Sequence, residues 1–298
     1  MTSYSCFDFR IESSFPLKDL AVADDDRPAV SLQIGSVPEV LEDAKSSHRR
    51  LQVAGDRVLL VVPGVARYLI RAGEEITVEP LGDPDSPNVN LFLLGSALGV
   101  LCYQRGLLLL HANAVVKDGV AVAFAGDSGA GKSTLAAWFA QAGYQVLCDD
   151  VCAVRIVDGN ALTWPGLPRL KLWGEAARAF GHDPDALDLA VEGRDKYHVR
   201  VPAWQVGEPI PLREINLLSR AAADVEPVRT PIDGGNAAIA LIRQSYRRNY
   251  LPLLGLDRWH FAQCAKLTGV TRVFDTPRLW GYDRIDSEGR RLEAAILN

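Results

Sequence analysis

The chain has 298 residues, 48% of them hydrophobic, and a formal net charge of −5. That much apolar material builds a buried core, and the length leaves room for two domains. The acidic balance excludes the usual sequence-independent nucleic-acid binder, which carries a basic surplus.

The five cysteines, Cys6, Cys102, Cys148, Cys152 and Cys264, are odd in number and scattered. They form no disulfide framework and point to a reducing, cytoplasmic compartment. Cys148 and Cys152 have no second cysteine pair or nearby histidine, so they read as buried structural thiols. Residues 1–10 are polar and unlike a secretory signal. The longest apolar run, 91–103, falls short of the roughly 20 residues a membrane helix needs, and reads as a packed helix.

In chain order, 57–62, 66–71 and 75–79 read as short strands punctuated by Gly, Pro and Asp. Residues 18–50 are more polar, and the Asp24-Asp25-Asp26 run reads as a solvated loop. Residues 83–87 form a linker, after which Asn88 caps a helix running to about 104. These features predict a smaller, mostly-β domain over 1–87 and an α/β domain over 88–298. The second half opens with one buried strand, 107–116, a Lys117-Asp118-Gly119 turn and a second strand, 120–125. Leu135, Trp138, Phe139 and Ala142 then repeat at helical spacing, with Gly143 as the stop. Strands follow at 145–150 and 153–156, ending in the Asp158-Gly159-Asn160 turn. Farther on, 174–181 and 235–250 read as helices, Asp257 caps a helix to 267, and 270–274 is a late strand.

Between the strand at 120–125 and the following helix lies Gly126-Asp127-Ser128-Gly129-Ala130-Gly131-Lys132-Ser133, followed by Thr134. Strand, Gly-x4-Gly-Lys-Ser, helix is the context in which such a loop binds a nucleotide. Its glycines let backbone N–H groups converge on phosphates, and the helix start adds positive dipole. Lys132 supplies a charge for the β- and γ-phosphates, and the Ser133 hydroxyl is a Mg²⁺ ligand. ATP and Mg²⁺ are the expected cofactors.

Asp149-Asp150 stands at the end of the next strand. In an open α/β sheet the carboxyl ends of strands gather ligands. Two adjacent carboxylates there are costly unless cations offset them. The pattern divides two jobs between Asp149 and Asp150: one assists Mg²⁺ and the other accepts a proton from an attacking hydroxyl.

Hydrophobic-His111-Ala112-Asn113, a hairpin, the loop 126–133 and Cys148-Asp149-Asp150-Val151, in that order, resemble the HPr kinase/phosphorylase family. The resemblance covers about 105–155 and is nearest to the HPr-kinase-like serine kinases found with lasso-peptide biosynthesis genes. It implies a glycine-loop kinase domain with a mixed sheet like that of phosphoenolpyruvate carboxykinase. It also implies a homo-oligomer, Asp150 as the base with Asp149 on Mg²⁺, and His111 as a second active-site group near the phosphates. The chain departs from the family at 164–173, Trp-Pro-Gly-Leu-Pro-Arg-Leu-Lys-Leu-Trp, which replaces the Mg²⁺ glutamate and the glycine-rich signature. Glu175 is the nearest substitute. The departure implies a one-way kinase that does not act on HPr.

Arg194, Lys196 and Arg200 form a compact basic loop able to offset charge on a transferred phosphoryl group. Arg169 and Lys171, if on a strand, share a face beside Trp164 and Trp173 and suit a terminal carboxylate. Arg243, Arg247 and Arg248, with Tyr246 and Tyr250, read as a solvated helix face with aromatic anchors. The expected partner is a peptide or protein carrying a serine. The alternatives are an HPr-type protein kinase, a small-metabolite kinase and a nucleotide-gated switch or motor ATPase. The metabolite kinases usually begin with the glycine loop. The switches need a distant acidic strand and an arginine finger.

Overall fold

The structure is a computed structural model describing residues 1–48, 50–167, 169–204, 207–222 and 225–296. Its first eighty residues form β1 (Thr2–Cys6), β2 (Phe9–Ser13), β3 (Ala29–Ile34), β4 (Ser46–His48), β5 (Leu51–Ala54), β6 (Arg57–Val62), β7 (Ala66–Arg71) and β8 (Glu75–Pro80). Among the described residues these form an eight-stranded sheet in the order β1-β2-β3-β8-β7-β6-β5-β4, parallel only at β2–β3 and β3–β8. In β6, Val58, Leu60 and Val62 face the main core, while Leu59 faces a second one with Val37, Leu41 and Leu69. The polar segment 18–50 therefore contributes two strands, β3 and β4, and a covering stretch. Val30 and Leu32 point inward between polar neighbours, as a half-buried strand requires.

The helix after the linker is capped by Ser86, whose Oγ accepts the Asn88 N–H at 3.3 Å, rather than by Asn88. Proline at its first position suits that start. It runs as α1 (Pro87–Phe92), a π turn (Leu93–Ala97) and α2 (Leu98–Gln104). Gly95 and Gly99 leave room there for Tyr246, which a Cβ at either position would crowd at 3.1 and 3.2 Å. Val89, Leu93, Leu98 and Leu101 pack into the core of the first sheet, so the apolar core continues across Pro87.

The remaining strands are β9 (Leu108–Leu110), β10 (Ala112–Lys117), β11 (Val120–Ala125), β12 (Gln145–Cys148), β13 (Cys152–Val157), β14 (Asn160–Thr163), β15 (Arg169–Trp173), β16 (Lys196–Arg200), β17 (Ile210–Arg220), β18 (Thr230–Pro231) and β19 (Arg272–Arg278). The helices are α3 (Lys132–Gln141), α4 (Gly174–Ala179), α5 (Gly234–Arg243), α6 (Asp257–Thr268) and α7 (Ile285–Ile296). All except the β15–β16 hairpin join one mixed sheet built on β17. Its later part pairs in parallel with β11 and β19, and its start pairs antiparallel with β14. The expected α/β fold with a mixed sheet, preceded by mostly-β structure, is what forms.

Several boundaries differ from the sequence reading. The strand expected over 107–116 breaks at His111, because β9 pairs with β13 while β10 pairs with β11 and β12. The strand expected over 145–150 stops at Cys148, and Asp150 takes φ +66. The helix expected over 235–250 ends at Arg243, and Arg247 adopts φ +49. Asp257 is the first helical residue rather than the cap, and the late strand runs to Arg278.

Candidate active site

β11, β17 and β19 run parallel, and β12 points the same way through its antiparallel pairing with β10. Four carboxyl ends therefore meet at one edge, carrying Gly126, Arg220, Arg278 and Asp149-Asp150. That is the edge where open α/β sheets bind ligands. A cleft of about 370 Å³ lies there, lined by the glycine loop, His111, Asp150, Lys171, Arg194, Lys196 and the segment from Arg278 to Ile285.

The loop leaves β11 at Gly126, φ +153, where a Cβ would meet Leu218 O at 2.9 Å. Gly131 has φ +77, and a Cβ there would collide with the Arg278 guanidinium. Only glycine meets both demands. The helix behind is rigidly seated. Phe139 of α3 stacks on Phe124 of β11 at 5.2 Å, and Trp138 meets Phe139 edge-on at 5.1 Å. On its far side Trp138 Nε1 donates to Asp286 Oδ1 of α7 at 3.1 Å.

Lys132 is buried, and its Nζ donates to Gly126 O at 2.8 Å and Asp127 O at 3.3 Å. Burial lowers its pKa, opposed by Asp150 and Asp149. Ser133 Oγ donates to Asp149 Oδ1 at 3.1 Å, so the two residues assigned to metal are brought together. The other Asp149 oxygen accepts the Lys171 backbone N–H at 2.6 Å. Two hard oxygen donors beside the glycine loop fit Mg²⁺, which keeps waters and substrate oxygens for its remaining positions.

Asp149 lies behind Ser133, whereas Asp150 lines the cleft. Burial, then the neighbouring Asp150 charge, pushes the Asp149 carboxyl up to about 6. Burial pushes Asp150 the same way, but Lys171 and Lys196 outweigh it and hold that carboxyl below its ordinary range. Lys171 Nζ donates to Asp150 Oδ2 at 2.8 Å, and the Asp150 N–H donates to buried Asn113 Oδ1 at 3.3 Å. Asp150 is one of few non-glycine residues here at positive φ, strain that costs about 1–3 kcal/mol and concentrates at functional sites.

His111 sits at the break between β9 and β10, fixed by its N–H to Gln244 O at 2.7 Å. Its Nε2 is 3.8 Å from Asp150 Oδ1, beyond hydrogen-bond reach. Burial, then the Lys132 charge, lowers its pKa to about 4, so the imidazole is neutral near pH 7.

The expected substrate cations divide. Lys171, Arg194 and Lys196 line the cleft. Lys196 sits 5.8 Å from the ring of half-exposed Trp173, and among the described residues neither it nor Arg194 has a carboxylate ion partner. Arg169 does not line the cleft: it is buried, its pKa is lowered to about 9 by burial, and it pairs with Asp19. It and Lys171 do share a face, both bordering a separate cavity that Asp19, Asn90 and His198 also line. Arg200 is exposed and outside the cleft. Trp164 belongs to the core, Glu175 is exposed on α4, and Pro168 lies outside the described residues. Sequence reasoning missed Arg278, which donates to Ala130 O at 3.2 Å through Nη2. Only the parallel pairing of β19 with β17, remote in sequence, places it on the loop.

No protein-family profile matches the chain, and no curated protein matches it. Among solved structures it is similar to the HPr(Ser) kinase/phosphatase from Coxiella burnetii, at 15% identity, over 64% of this chain and 99% of that one. The TM-score is 0.33, a likeness that carries no weight for activity. No helix among the described residues is long and apolar enough to cross a membrane.

Proposed function

We propose that this chain is a cytoplasmic ATP-dependent serine kinase of the HPr-kinase-like kind. The observation that carries the reading is the convergence of loop, Ser133–Asp149 pair and Asp150 on one cleft, with one carboxylate behind the loop and the other open to an acceptor.

In this reading the loop N–H groups and Lys132 hold the triphosphate. Ser133 and Asp149 would hold Mg²⁺, which would supply positive charge to offset that of the phosphate oxygens. The serine hydroxyl donates a hydrogen bond to Asp150, which aligns it. The new O–P bond forms as the γ-phosphoryl group leaves ADP, and the proton passes to Asp150. A carboxylate held ionised by Lys171 is a weak base but a good orienting acceptor. That suffices, because phosphoryl transfer depends on positioning and electrostatics more than on strong base catalysis. Neutral His111 borders the path, and Arg194 and Lys196 face the transferred group.

The finer proposal is a serine at the C-terminus of a short ribosomal peptide, of the lasso-precursor type. Arg169 is engaged with Asp19 and Lys171 with Asp150, so a terminal carboxylate is left to Arg194 and Lys196, with Trp173 to pack the preceding residue. The test supplies labelled ATP and Mg²⁺ with peptides ending in Ser, in Ser-amide, or holding Ser internally, beside HPr and small alcohols. Label on the free-acid peptide, lost in Lys132→Ala, is expected. Faster labelling of HPr or a metabolite than of every peptide refutes the substrate. Label released only to water refutes the kinase.

A further inference from the structure

The cleft continues past the glycine loop onto a wall that the reading above leaves without a task, from Arg278 to Ile285. Arg278 ties its start to the loop, donating to Ala130 O from both Nε and Nη2, at 3.4 and 3.2 Å. Two and four residues on, Trp280 is 40% exposed and Tyr282 37%, and both line the cleft. Large aromatic rings left open in a concave site beside convergent polar groups mark a ligand surface.

Trp280 is not a loose surface ring. Arg220, at the end of β17, holds its guanidinium carbon 5.1 Å from the ring centroid. The indole also lines a smaller cavity on the Arg220 side, so it stands as a wall backed on that side and open on the cleft side. The backbone beneath is held as well. The Leu279 N–H donates to Glu288 Oε2 at 3.1 Å, and Arg291 clamps both Glu288, at 2.9 Å, and Pro277 O, at 3.0 Å. Gly281 takes φ +133, and a Cβ there would strike the Asp283 carboxylate.

A glycine loop at a helix start, in one cleft with a fixed aromatic surface, matches a nucleotide, phosphates at the first and base on the second. We infer that Trp280 and Tyr282 seat the purine base of the nucleotide whose phosphates enter the glycine loop, an inference that rests on the kinase reading. The other exposed tryptophan, Trp173, stands two residues from Lys171 and hence at the carboxylate end, where the acceptor belongs. Trp280 stands two residues from Arg278 and hence at the loop end. Because Arg220 already fixes the indole plane, little side-chain freedom is lost when the base arrives.

Direct calorimetric titration of the full chain with ATP and with inorganic tripolyphosphate separates base from phosphates. The wild type is expected to prefer ATP by roughly tenfold or more, the scale of one base–aromatic stack. Trp280→Ala and Tyr282→Ala should each lose much of that margin with tripolyphosphate affinity unchanged, which also reports an intact fold. Trp280→Phe should retain most of it. Alanine variants that keep the full margin, or that change only the KM of the phosphate acceptor, overturn the inference and leave the kinase reading standing. A wild type that binds neither ATP nor tripolyphosphate overturns both.

Discussion

The two sheets treat charge in opposite ways. On the first, ion pairs lie outside: Arg57 with Asp43, Arg67 with Glu39 and Glu79, Arg71 with Glu75. Such pairs contribute little, since water screens them and ordering long side chains costs entropy. The second sheet and its loops bury Lys132, Asp149 and Glu214, and burial lowers the Lys132 pKa and raises that of Asp149. Burial alone does not make a site, however. Glu214 is fully enclosed yet satisfied by Arg229 at 2.5 Å, Arg272 at 3.0 Å and Asn216 at 3.1 Å, away from the cleft. Asp149 and Asp150 differ in being adjacent like charges at an open strand edge, one with strained backbone. The Lys171 and Lys196 charges outweigh burial at Asp150 but not at Asp149.

The contrast breaks first at Asp150. Asp150→Asn keeps the shape and is expected to slow phosphoryl transfer by about 10² to 10⁴-fold with ATP affinity nearly unchanged, measured by single-turnover kinetics. If Asp149→Asn gives that pure rate loss instead, the division of roles is reversed. The buried but non-catalytic charge behaves otherwise. Glu214→Ala strands Arg229 and should cost about 3–5 kcal/mol in denaturant unfolding, with kcat of the folded fraction kept. A large kcat loss without destabilisation would place Glu214 in the site after all.

The pH dependence sharpens the comparison further. Asp149 is raised to about 6 from 3.8, so the stability it contributes is full below 3.8 and is lost as pH rises through about 6. His111 is lowered to about 4 from 6.5, so its contribution is full above 6.5 and is lost as pH falls through about 4. Mg²⁺ needs the ionised Asp149. Its affinity should therefore rise with pH, by up to about tenfold per unit, and level off above about 6. Titrating Mg²⁺ into nucleotide-bound wild type and Asp149→Asn from pH 5 to 8 checks this: the variant should bind more weakly and lack the added slope. The smallest effect belongs to the first sheet. Arg57→Ala should change stability by about 0.5 kcal/mol or less, and a larger shift in the unfolding midpoint would show that the outer pairs matter more than their exposure allows.

The chemistry-bearing residues of the glycine loop and the aspartate pair were legible in the sequence because they are local. A strand, a turn of glycines and a helix start lie within a dozen residues, and each demand falls on a neighbour. Lys171, Arg194 and Lys196 were legible as cations, but their destination was not. Arg169 carries the same charge on the same strand face as Lys171, yet it is buried against Asp19 while Lys171 reaches Asp150. Arg278, Trp280 and Tyr282 carry no local pattern at all. They join the cleft because β19 pairs in parallel with β17, a match of register between strands more than fifty residues apart. Sequence alone thus determined which groups hold charge and where the backbone turns tightly on glycine, as at Gly126 and Gly131. Tertiary structure decided which charges remain available, because burial and partner choice depend on contacts between remote segments.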